Sequence, residues 1–229
     1  MCRRYYRRSD KQRIAEAFKL DKLPEGFVLP DWDYNVAHST YQPVIRHTKD
    51  NAERELVMMR WGLIPYYTKD IQSFTVYPTI NARVESLLNT MIWRGPFQRR
   101  RCLIPADGFY EWKKIGAKTK QPYAFSMKDS EPFAFAGLWD AWKDPILDQW
   151  LQSFTIITTT PNELTATVHD RMPAILHPAD YEEWLLRVDG ESPPIGLLRP
   201  FPADEMKAKE AHKDVGNVRN NHPELLNSA

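Results

Sequence analysis

Four residues in this sequence have side chains suited to chemistry, Cys2, Asn81, Glu111 and His169, although an ordinary second residue is the plainer reading of Cys2 on its own. Cys2 follows the initiator methionine. Once Met1 is removed, Cys2 bears a free α-amine and a thiol on adjacent carbons. That pair condenses with an aldehyde: the amine forms an imine and the sulfur closes a five-membered thiazolidine. Both groups titrate near neutrality, the amine at about 8 and the thiol at about 8.5, so a neighbouring base activates either one. Glu111 lies inside Gly108-Phe109-Tyr110-Glu111-Trp112. Strand alternation puts it on the face of Phe109, with Tyr110 and Trp112 opposite. Both faces are partly apolar, so a half-buried carboxylate with a raised pKa is expected, a proton carrier near neutral pH. An edge-strand Glu paired with a lysine fits this stretch equally well.

His169 lies in Val168-His169-Asp170-Arg171-Met172-Pro173. Its flanking charges and the proline suit an acid/base histidine in a rigid loop, or a structural hydrogen-bonder. No second histidine stands at metal-ligand spacing, so no metal and no cofactor are expected. Asn81-Ala82-Arg83-Val84-Glu85 offers an amide to orient a substrate hydroxyl or phosphate and a guanidinium to grip phosphate. Its plainer reading is a turn asparagine and an Arg83–Glu85 pair. Trp61 reads as core. Tyr66 and Tyr67 follow Pro65, where a loop begins, and suit stacking on unpaired bases.

The elements that must bring these residues together are short. Ser9-Asp10-Lys11-Gln12 reads as a capping box opening a helix that ends near Leu20. Strands are expected at Tyr34–Ala37, Pro43–Arg46, Glu55–Trp61, from Cys102, at Gly108–Lys113, Pro122–Met127, Phe133–Leu138 and Gln152–Thr160. Lys49-Asp50-Asn51 reads as a turn, 66 to 79 as a loop and Val84–Met91 as a helix. Short helices are expected from Pro161-Asn162 to Val168, after Pro178, and around Glu205 to His212. Many short strands with peripheral helices indicate one α+β domain, a compact fold with a curved, mainly antiparallel β core. It should span 1–229, with the tail after about 215 closing over the core.

The 31 Lys and Arg against 30 Asp and Glu give a net charge of +1, so nucleic-acid binding requires a local basic patch. Two cysteines form no disulfide scaffold. The Arg-rich start is not a signal peptide, and no apolar run spans a bilayer. A soluble intracellular protein without a membrane partner is expected.

The chain resembles the SRAP family, the abasic-site processing proteins first described as SOS-response-associated peptidases. The resemblance rests on Met1-Cys2 with Arg4, Tyr34-Asn35-Val36-Ala37, Arg60-Trp61-Gly62-Leu63-Ile64-Pro65, Asn81 to Glu85, Arg101 to Trp112, Phe135-Ala136-Gly137-Leu138-Trp139, Thr158-Thr159-Thr160 with His169 to Pro173, and Val215-Gly216-Asn217-Val218. These stretches run in order almost from end to end. The resemblance implies a monomeric protein that crosslinks to abasic sites in single-stranded DNA, in the cytoplasm or, in a eukaryotic host, the nucleus. It implies Cys2 as nucleophile, Asn81 as orienter of the sugar or imine, Glu111 as proton carrier, and His169 in ring opening and reversal. It implies Arg4, Arg83 and Arg171 at the flanking phosphates, with Trp61, Tyr66, Tyr67 and Thr159 also in the DNA contact. The formal enzyme class would be peptidase, hydrolase or lyase-like.

Three positions depart from the family pattern: Arg3 replaces glycine, Tyr66-Tyr67 stands where many relatives have tryptophan, and His38 replaces proline. No function attaches to His38 from sequence. Two other readings stay open, a Cys2-dependent peptidase that removes its own Met1 and a non-covalent single-strand binding module.

Overall fold

The computed structural model describes residues 2–20, 23, 26–30, 32–48, 50, 53–72, 74, 77–187 and 190–228. Met1 lies outside them, as does most of the expected Lys49-Asp50-Asn51 turn. The strands are β1 (Arg4–Arg7), β2 (Asp33–Ala37), β3 (Tyr41–His47), β4 (Arg54–Trp61), β5 (Asn81–Arg83), β6 (Arg101–Ala106) and β7 (Gly108–Lys114). They continue as β8 (Lys120–Met127), β9 (Phe133–Lys143), β10 (Trp150–Thr159), β11 (Met172–Pro173), β12 (Ile175–Leu176) and β13 (Met206–Glu210). Among the described residues there are four short α-helices: α1 (Lys11–Ala17), α2 (Met91–Arg99), α3 (Glu163–Ala166) and α4 (Tyr181–Leu185).

One sheet runs β13-β8-β7-β1-β2 and is antiparallel throughout. In the other, the pairing of β9 with β10 closes β10, β4, β3, β6 and β9 into a ring. Only β10 pairs in parallel among the described strands, with β4 and β5. Alternation explains the layers. Tyr5, Phe109 and Phe125 enter one core with Trp61, Phe135 and Phe154, and Cys2 belongs to it. The opposite residues, Tyr6, Tyr110 and Ala124, enter a second core covered by Val215, Leu225 and Leu226 of the tail. The outer face of the ring, with Ile45, Leu56 and Leu103, is covered by α1, α2 and α4 through Ile14, Phe97 and Trp184. The α+β class and the mainly antiparallel core stand as expected.

Local expectations fail in four places. Asp10, not Ser9, caps α1 by accepting from the Arg13 N–H at 2.8 Å. The Ser9 hydroxyl is taken by Asp107, also at 2.8 Å, and the helix stops at Ala17. Val84–Met91 is not a helix: a single 3-10 turn, Val84–Ser86, is followed by α2, which begins at Met91. Gly95 and Pro96 hid α2, because proline inside a helix costs about 3 kcal/mol. Trp93 and Phe97, four residues apart and both buried, supply the apolar face that offsets this. The expected helix around Glu205 to His212 is instead β13. Good helix formers yield there to the open edge of β8, which takes up Met206 to Glu210 in a continuous ladder.

Two arginines are buried. Arg7 donates to the carbonyls of Ser9 and Pro30. Arg101 donates to Phe97, Gln98, Trp184 and Leu186, joining the carboxyl ends of α2 and α4. Among the described residues no helix is long and apolar enough to cross a membrane.

Candidate active site at the amino terminus

The site is built where the start of β1 meets β5, β7 and the loop before β11. β1 is held on both sides, Arg4 opposite Ala37 of β2 and Tyr110 of β7. That places Cys2 at the end of a central strand, wholly buried. Its thiol donates weakly to the Arg4 carbonyl at 3.6 Å. Asn81, the first residue of β5, donates from Nδ2 to the Cys2 carbonyl at 2.8 Å. The Asn81 carbonyl oxygen, Oδ1, is buried and has no hydrogen-bond partner. An acceptor thus stands ready at the residue that positions Cys2.

Glu111 is buried rather than half-buried, on the Phe109 face as alternation required. Burial pushes its carboxyl up to about 7. Burial also pushes the Cys2 thiol far above its usual range, with the Glu111 charge adding to the effect. His169 follows α3 and faces Glu111, its Nε2 3.9 Å from Oε2. Burial lowers its pKa, against the opposing charge of Asp170. The ring is therefore neutral at pH 7. The Arg171 N–H donates to Nδ1 at 3.0 Å, which leaves the ring proton on Nε2, toward Glu111. Asp170 lies as close to Nδ1 but is exposed to solvent, so the backbone bond fixes the tautomer. The site therefore sets a carboxyl that titrates in the neutral range against an imidazole of lowered pKa, a pair suited to passing a proton in either direction.

The other expected residues divide by depth. Arg171 is buried and gripped at both ends, by a two-pronged pair with Glu85 at 2.6 and 3.0 Å and by the Thr158 carbonyl at 2.7 Å. Glu85, expected beside Arg83, is thus spent on a residue 86 positions away, and Arg83 is left exposed. Sequence reasoning missed Glu85 as a support of the site, although it closes the quoted Asn81–Glu85 stretch. Trp61 presents nothing to solvent; its Nε1 donates to the Ile80 carbonyl at 2.9 Å and steadies the residue before Asn81. Thr159 is buried in the β10–β11 ladder opposite Met172. Tyr66 and Tyr67 are exposed and meet edge to face. Arg4 is partly exposed beside Cys2. Among the described residues no cluster of His, Cys, Asp and Glu is placed to hold a metal ion.

Comparison with known proteins agrees along the whole length. The family model described as "SOS response associated peptidase (SRAP)" matches residues 1–218. The abasic site processing protein YoqW of Bacillus subtilis (strain 168) is 42% identical over 230 residues, covering 100% of both chains. The abasic site processing protein HMCES of Gallus gallus is 33% identical over 235 residues, covering 89% of this chain and 68% of its own. A crystal structure of a Bacteroides thetaiotaomicron protein superposes with a TM-score of 0.84 at 26% identity, covering 100% of both chains.

Proposed function

Because the chain belongs to the SRAP family, we propose that it captures abasic sites in single-stranded DNA as a thiazolidine on Cys2, after Met1 has been removed. The observation that carries the reading is the convergence on Cys2. Asn81 holds its carbonyl at 2.8 Å, and a carboxyl that titrates near neutrality faces a neutral imidazole beside it.

The reaction begins with ring opening. His169 and Glu111 pass the proton that converts the closed sugar to its aldehyde. The Cys2 amine attacks that carbonyl carbon, and protonated Glu111 supplies the proton with which water departs, leaving an imine. The thiol then adds to the imine carbon. Its sulfur forms the C–S bond, its proton passes through the Glu111 carboxylate, and the imine nitrogen becomes an amine. One water leaves in total. The amine acts first, so the raised thiol pKa is no obstacle at the outset. A peptidase in which the thiolate attacks first meets that obstacle directly. Asn81 Oδ1, buried without a partner, accepts from the sugar hydroxyl or the carbinolamine. The closed ring resists β-elimination, so the strand is shielded from breakage. Single strands suit the site because an abasic sugar turns out most easily where no partner strand stacks on it.

We read the chain as one unit acting as a monomer, its tail after about 215 closing over the core. It acts where DNA lies, in the cytoplasm or, in a eukaryotic host, the nucleus. The test is incubation with a single-stranded oligonucleotide bearing one abasic site, followed by intact mass measurement. We expect an adduct that survives denaturation without reductant, whose mass shows Met1 gone and one water lost. No adduct, or an undiminished one with Cys2→Ala, overturns the reading.

A further inference from the structure

His38, which stands where the family has proline, sits in a basic corner beside the site. The turn that follows β2 carries it and is bound tightly to β4: the Ser39 N–H donates to the Trp61 carbonyl at 2.8 Å and the Trp61 N–H to the Thr40 carbonyl at 2.9 Å. Ser39 adopts a left-handed conformation at φ 68° to make the turn. On one side, Ala37 pairs with Arg4 of β1. On the other, Tyr41 pairs with Arg60 of β4. The imidazole is half-buried between them, with Nδ1 3.3 Å from the Ser39 hydroxyl. The charges that act on it are those of Arg4, Arg60 and Arg3. Arg60 is itself partly buried, its Nη1 donating to the Gly62 carbonyl at 3.4 Å. Arg4 is two residues from Cys2, and Trp61, next to Arg60, holds the carbonyl before Asn81.

We propose that His38 and Arg60, with Arg3 and Arg4, form a seat for one backbone phosphate of the strand held at Cys2, and that His38 takes up a proton when the phosphate arrives. The inference rests on the single-strand reading above and adds two residues and a linkage to it. Burial and three neighbouring guanidinium groups lower the pKa of His38 in the free protein. A phosphate among them reverses the local field and restores the proton. By linkage, binding tightens as pH falls through the bound-state pKa of His38. Among the described residues, groups that act on His38 include Arg3 and Arg4 from β1 and its approach, Arg60 from β4 and Ser39 from its own turn. Tyr41 of β3 acts on Arg60.

The experiment uses Cys2→Ala protein, which forms no bond, and a fluorescent single-stranded oligonucleotide with a stable abasic analogue. Affinity is measured from pH 5.5 to 8 at several salt concentrations. We expect binding to tighten several-fold toward low pH, and His38→Gln to remove that part of the dependence. Arg60→Ala should flatten the salt dependence by about 0.7 in log K against log salt, one phosphate contact on a single strand. It should also move the His38 midpoint to higher pH, which a merely structural role would not do. A neutral methylphosphonate placed at each linkage in turn should abolish the His38 effect at one position near the lesion. If His38→Gln titrates like its parent, or no linkage matters, the seat is overturned while the DNA reading stands. If the oligonucleotide does not bind at all, the DNA reading falls and the seat with it.

Discussion

Glu111→Gln should make the protein more stable and less active at once. The carboxyl is buried, with 3% of its surface exposed, and its pKa rises from 4.5 to about 7 on folding. A carboxyl raised in this way holds its proton more tightly in the folded state than in the unfolded chain. Its contribution to stability is therefore fullest below pH 4.5 and is lost as pH rises through about 7. At about 1.4 kcal/mol for each pH step between the two values, the total is about 3 kcal/mol. Most of that loss, about 2 to 3 kcal/mol, falls between pH 5 and pH 8. The amide does not titrate, so any fixed difference in packing or hydrogen bonding cancels when the two proteins are compared at both pH values. Denaturant unfolding of parent and variant at pH 5, 6, 7 and 8 measures the gap. We expect it to widen with pH in favour of the variant. Crosslinking by the same variant should slow by about 100-fold, the usual scale of a lost general acid/base. A gap independent of pH would refute the argument that burial sets the titration of Glu111.

Asn81→Ala removes the bond to the Cys2 carbonyl. The initial rate of adduct formation should fall at least about tenfold through misplacement of the amine, with circular dichroism unchanged. Asn35→Ala frees the carbonyls of Val215, Asn217 and Asn220, to all of which the Asn35 Nδ2 donates. We expect about 2 kcal/mol lost in unfolding and faster proteolytic trimming of the tail. Gly108→Ala forces a Cβ to 2.2 Å from the Tyr6 ring and 2.4 Å from the Phe125 carbonyl. The backbone there cannot yield, so the melting temperature should drop by an amount worth about 3 kcal/mol or more.

What the sequence made legible was the set of parts; what it concealed was their pairing. Period-two alternation placed Glu111 and Phe109 on one face correctly, because the pleat leaves no alternative once the strand is recognised. Degree of burial was less visible: it depends on Cys2 and β5 arriving from elsewhere in the chain. The Tyr34–Ala37 and Val215–Val218 stretches lie far apart in sequence, and only the fold shows why they occur together, Asn35 of one donating to carbonyls of the other. Charge was the most misleading signal. Arg7, Arg101 and Arg171 look like surface cations in sequence, yet each is buried against carbonyls or, for Arg171, also the Glu85 carboxylate. Guanidinium groups satisfy several acceptors at once, so the fold uses them as internal struts. β13 was misread because local preference for helix is worth less than a free sheet edge.

The position of β1 between β2 and β7 has a mechanical consequence. Consider a strand joined to Cys2 and pulled along the axis of β1. Tension in that direction loads the hydrogen bonds on both flanks in shear, so they resist together and do not open one at a time. A lesion held there would be secured against a translocating motor by the sheet as well as by the covalent bond. Release under force would then require β1 to shear from β2 and β7.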